Sequence, residues 1–120
     1  MTHILTVDDS VSMRQMVAYT LRDAGFDVSE AGDGTEALAA AEQQSFDLVL
    51  ADVNMPNMDG IALIKALRGL SSYQYTPLLM LTTESSMERK SEGKAAGATG
   101  WIVKPFEPEN LVATVRRVLG

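Results

Sequence analysis

The chain of 120 residues contains no cysteine, which excludes disulfides, thiol nucleophiles and thiolate metal sites. It has one histidine, His3. That residue falls at the start of the first strand candidate and is expected on the surface, so general-base chemistry by an imidazole is not expected. Aromatic residues make up only 6% of the chain, and its methionines supply part of the interior filling instead. No apolar run approaches the roughly 20 residues of a membrane span. No charged-then-apolar leader opens the sequence. Cations are in short supply, with 10 Lys and Arg against 16 Asp and Glu and a formal net charge of −6. Nucleic acid and anionic membrane both demand clustered cations, so neither is an expected partner. The pair Arg116–Arg117 reads as a solvated helix face. A reducing, cytoplasmic location is expected.

What is present suffices for one packed domain over residues 1–120, with 46% apolar residues. Short apolar runs alternate with longer helical patterns, and the alternation repeats five times. The strand candidates are Ile4–Val7, Val28–Ala31, Leu48–Ala51, Leu78–Leu81 and Trp101–Val103. None has a polar residue at every second place, so each is expected to be buried on both faces of a parallel sheet. The first helix repeats Met13, Val17 and Leu21 and stops near Gly25. The second opens with Asp33 and Glu36 at capping-box spacing and buries Ala37, Leu38 and Ala41. The third runs from about Gly60 to Leu70. The fourth begins near Ser85 and has the weakest apolar stripe, so it is expected to dock least tightly. The fifth starts at Pro108 and buries Leu111, Val115 and Val118. Alternation of this kind implies right-handed crossovers and helices on both faces of a five-stranded, doubly wound parallel sheet.

In such a sheet, sites form outside the carboxyl ends of the strands. Those ends carry Asp8–Asp9, Asp52, Thr82–Thr83 and Lys104. Asp52 is the hardest to explain as a surface residue, because it ends the apolar run Leu48–Ala51 where an unpaired charge is costly. Three carboxylates on one rim repel one another unless a cation intervenes. Hard oxygen donors with no His or Cys suit Mg²⁺. Lys104 and Thr82 add an ammonium and a hydroxyl for anionic oxygens. Together these are the parts for phosphoryl transfer to a carboxylate. Asp9 could equally cap the first helix; Asp59 reads as a cap, and Met55 and Met58 as packing.

At these residues the sequence resembles the receiver domains of two-component response regulators, especially the stand-alone CheY-type chemotaxis regulators. The matching pieces are Val7-Asp8-Asp9-Ser10, Asp52-Val53-Asn54-Met55-Pro56-Asn57-Met58-Asp59-Gly60, Met80-Leu81-Thr82-Thr83-Glu84, Gly97-Ala98-Thr99-Gly100-Trp101 and Val103-Lys104-Pro105-Phe106. The resemblance implies a CheY-like fold with Asp52 as phospho-acceptor. It implies that Asp9 holds Mg²⁺ directly, Asp8 partly through water, and Asn54 through its backbone carbonyl. Thr82 would be the switch hydroxyl, and Lys104 the phosphoryl-pairing lysine, preceding a cis peptide at Pro105. Trp101 takes the place of the switch aromatic and departs from the usual Tyr or Phe. The implied partners are a histidine kinase as donor, a flagellar switch protein or other output protein, and a phosphatase, around a monomeric switch that is no metabolic enzyme. A phosphate sink, a relay receiver or a receiver cut from a larger regulator are the alternatives. A haloacid-dehalogenase-type phosphohydrolase would need Asp-x-Asp-Gly after the first strand. A flavodoxin would need a Gly- and hydroxyl-rich loop there. Neither pattern is present.

Overall fold

The computed structural model describes residues 2–55, 57–83 and 87–120. Five strands, β1 (His3–Val7), β2 (Asp27–Ala31), β3 (Leu48–Asp52), β4 (Leu78–Thr82) and β5 (Gly100–Val103), alternate with five helices. These are α1 (Val11–Asp23), α2 (Gly34–Gln43), α3 (Gly60–Arg68), α4 (Met87–Ala96) and α5 (Pro108–Leu119). All strands are parallel, in the order β2-β1-β3-β4-β5. The expected doubly wound α/β architecture is therefore the observed one, and the strand limits differ from expectation by a residue at either end.

Side-chain alternation along the strands divides the interior into two cores. Leu5, Val7, Val49, Ala51 and Met80 face a layer that includes Ala37 and Ala41 of α2, Ile64 and Leu67 of α3, and Ala96 of α4. Ile4, Leu48, Leu50, Leu79 and Leu81 face Val17, Ala18 and Leu21 of α1 and Leu111 and Val115 of α5. Met55 and Met58 pack against the first of these cores, as expected of them.

Three expectations need correction. The strands are not all buried on both faces. On β2, Ser29 and Glu30 are half-buried, and on β5, Trp101 and Val103 are exposed, because these two strands form the sheet edges. Third-helix residues end at Arg68, with Gly69 as the cap, before Leu70. Two helix residues expected in the interior, Leu38 of α2 and Val118 in the last turn of α5, are only half-buried. The start expected for the fourth helix, Ser85, lies outside the described residues, as do Pro56 and Glu84 of the quoted motifs. Where it is described, α4 buries only Gly93 and Ala96, consistent with the weak apolar stripe.

Candidate functional site

The site grows from the carboxyl ends of the three inner strands. Asp8 follows β1 directly, and its backbone N–H donates to the Ala31 carbonyl of β2 (3.2 Å). Its carboxylate then accepts from the backbone N–H of Ser10 (3.0 Å). Asp52 closes β3 between β1 and β4 and is 6% exposed; Asp8 is 2% exposed. Asp59 caps α3, accepting from the Ala62 N–H at 2.8 Å, as its place in the sequence suggests. The N-cap of α1 is Ser10, which accepts from the Met13 N–H (3.3 Å). Asp9 is thus not used as the cap, which removes the simplest structural reason for an acid at that place.

Lys104, just past β5, reaches back over the rim. Its ammonium donates to Asp52 Oδ1 at 3.1 Å and to Asp8 Oδ2 at 3.4 Å. The backbone holds it there, through Lys104 N–H to the Thr82 carbonyl at 2.7 Å, and the Lys104–Pro105 bond is cis, as expected. Carboxylate oxygens of Asp8, Asp9 and Asp52 all lie within 4.8 Å of one another. Burial pushes the Asp52 carboxyl above its ordinary value; the Lys104 hydrogen bond opposes this, and the charges of Asp8 and Asp9 add to it. Three ionised acids against one ammonium leave two formal negative charges on the rim. A small divalent cation with oxygen preference matches that charge and that donor set.

The remaining sequence candidates lie around this group. Thr82 ends β4, 2% exposed, paired in register with Val103. Asn54 is exposed, two residues beyond Asp52. Trp101 pairs with Met80, two rungs further from the rim than the Thr82–Val103 pair. It is 39% exposed on the edge strand, with Lys90 Nζ of α4 5.1 Å from its ring centroid. His3 stands at the opposite sheet end, as expected, but is half-buried there. Its Nε2 shares a 2.7 Å hydrogen bond with Ser29 Oγ, and its ring meets Phe46 edge-on at 4.7 Å. One residue at the rim was not expected: Arg14 of α1, which donates to the Asp8 carbonyl at 2.8 Å. The available signal was a cation near the positive end of a helix dipole, where a cation is disfavoured unless a partner engages it. Surface grooves occur elsewhere, between α1 and α5, lined by Thr20, Ala24, Val112 and Arg116 among others. The rim is marked by its chemistry, two buried carboxylates and an exposed one gathered about one ammonium.

Comparison with known proteins gives the same direction. Residues 4–116 match the response regulator receiver domain family. Chemotaxis protein CheY of Pseudomonas aeruginosa is 39% identical over 96% of this chain and 94% of its own length. The solved chemotaxis protein CheY4 of Vibrio cholerae is 58% identical with a TM-score of 0.96, covering 98% of each chain. A receiver domain of the P. aeruginosa sensor histidine kinase PA1611, solved with magnesium in its active-site cleft, is 27% identical with a TM-score of 0.93, covering 99% of this chain and 98% of its own. Mycobacterial DNA-binding response regulators named MtrA are 42% identical, and this chain spans about half their length. A sheet end that gathers three carboxylates about one lysine thus sits in a sequence that matches one family nearly from end to end, and the chain belongs to the response regulator receiver domains.

Proposed function

We propose that residues 1–120 form one receiver domain acting as a phosphorylation-activated signalling switch, with Asp52 as the phospho-acceptor. The observation that carries this reading is the Lys104 ammonium bridging the buried carboxylates of Asp52 and Asp8, with Asp9 alongside. Asp8, Asp9, Asp52 and the backbone carbonyl of Asn54 would hold Mg²⁺. Bound there, Mg²⁺ supplies positive charge to the acid cluster and to incoming phosphoryl oxygens.

The chain's own groups define the rest. A carboxylate oxygen of Asp52 attacks phosphorus of a histidine kinase's phosphohistidine, or of a small phosphodonor. The new bond is Asp52 O–P. With phosphohistidine the P–N bond breaks and the imidazole leaves with the electron pair and takes up a proton; with an acyl phosphate the P–O bond breaks and the carboxylate leaves with the pair. Lys104 passes from carboxylate to phosphoryl oxygen as partner. The Thr82 hydroxyl moves to the same group, and the shift biases Trp101 and the surface of α4, β5 and α5 toward an output protein. Water then attacks phosphorus, releases inorganic phosphate and restores the carboxylate. The domain acts on itself and is no metabolic enzyme.

The named chemotaxis relatives support a chemotaxis output. The target in this reading is a flagellar switch protein and the terminator a phosphatase, with the chain acting as a cytoplasmic monomer. No described helix is long and apolar enough to cross a membrane. The similarity to DNA-binding regulators of twice the length favours one second reading, a receiver that serves a larger regulator. Thermal unfolding tests the site. Mg²⁺ should raise the melting temperature and Asp9→Ala should lose most of that rise. Equal shifts in both proteins would refute the assignment.

A further inference from the structure

The Asp8–Ser10 turn is fastened from a side that the acid cluster does not explain. Arg14 Nη1 donates to the Asp8 carbonyl at 2.8 Å, while its Nε donates to Glu30 Oε1 of β2 at 3.2 Å. Both side chains are sheltered, at 19% and 26% exposure. Glu30 is itself steadied by Arg22 of α1, 3.4 Å away. One planar guanidinium therefore ties the peptide between Asp8 and Asp9 to the neighbouring strand. A lysine's compact ammonium does not reproduce that planar fork, in which separate nitrogens, Nε and Nη1, face the two partners. The position adds a second indication. Arg14 is the fourth residue of α1, and that helix has no acid in its first turn. A cation there works against the helix dipole and gains nothing from intrahelical pairing. Its contacts instead run to the turn and to Glu30.

We propose that Arg14 is a positioning residue for the cation site, acting through the Asp8 carbonyl, with Glu30 holding the guanidinium in place. This rests on the receiver reading, in which Asp8 and Asp9 are cation ligands. The carbonyl that Arg14 holds belongs to the peptide joining those two residues, so its direction governs where the Asp9 carboxylate projects. Asp8 already has its own carboxylate tied to Ser10 and Lys104. The exposed Asp9 depends more heavily on the backbone for its placement. Groups that orient metal ligands from behind commonly alter metal affinity about 10- to 100-fold when removed.

The test is an Mg²⁺ titration of the full chain followed by the amide NMR shifts of residues 8–10, with metal-free thermal unfolding measured alongside. Arg14→Met should raise the Mg²⁺ dissociation constant about tenfold. Arg14→Lys should recover only part of the loss. Glu30→Gln, which keeps the arginine but loosens its hold, should weaken binding less than Arg14→Met. A purely structural role would lower the melting temperature and leave the dissociation constant at the parent value, and that result overturns the proposal. If Arg14→Met fails to fold, Arg14→Lys and Glu30→Gln decide: parental affinity in both contradicts it. A parent chain that binds no Mg²⁺ instead refutes the metal reading on which it stands.

Discussion

Asp52 shows most plainly how one residue's environment sets its chemistry. Burial holds its carboxyl above the ordinary value of 3.8, against the pull of Lys104. The folded chain therefore holds this proton more tightly than the unfolded chain does. By linkage, stability falls as pH rises from the unfolded value through the raised folded one, and the full penalty remains above that window. In EDTA, Asp52→Asn should accordingly raise the melting temperature by a few degrees at neutral pH. The gain should shrink below pH 3.8, where the carboxyl is neutral in both states. Melting curves across that range check it; an equal gain at every pH would assign the effect to packing. Asp52, Asp8 and Lys104 were legible in the sequence because each follows an apolar run whose strand end can be counted. Arg14 was not, because its partners Asp8 and Glu30 meet it only once α1 is packed beside β1 and β2.

Among the elements, α3 is placed by close approach. A Cβ on Gly60 would press into the carbonyl oxygen of Asp52 and come within 3.0 Å of the Val53 Cα. The backbone at the acceptor cannot give way as a flexible side chain could. Gly60→Ala should cost on the order of 1–3 kcal/mol, read from denaturant unfolding, and should weaken the Mg²⁺-dependent thermal shift. Parental stability in that variant would show that the helix can slide without consequence.

Helix α4 is the opposite case, held by two small residues, Gly93 and Ala96, and by Lys90 lying over Trp101. A cation–π contact at an exposed place contributes about 0.5–1 kcal/mol, weak enough for a switch to displace. Trp101 is the only tryptophan, so its emission reports on this junction directly. Lys90→Gln should change the spectrum of the resting protein. Beryllofluoride with Mg²⁺ should change the parent spectrum beyond Mg²⁺ alone, and Asp52→Asn should lose that second change. A spectrum unmoved at saturating analogue would make Trp101 a fixed packing residue.

For the whole molecule, the alternation of apolar runs and helical patterns carried the architecture, since each βα unit is local in sequence. The strand order is not local, and this is why β2 and β5 were expected to be covered on both faces. Val28, Ala31 and Ile102 are as apolar as inner-strand residues, yet their strands have a neighbour on one side only. The acid rim follows from the same topology, because five parallel strands deliver their carboxyl ends to one edge. Everything proposed for the chain depends on that edge handing a phosphoryl group to one chosen carboxylate among three. The most direct measurement is intact-mass and peptide mapping after incubation with acetyl phosphate, with and without Mg²⁺. One phosphoryl group per chain, dependent on Mg²⁺, located on Asp52 and absent from Asp52→Asn, is the expected result. Labelling of that variant to the parental extent, at Asp8, Asp9 or a hydroxyl, would contradict the account.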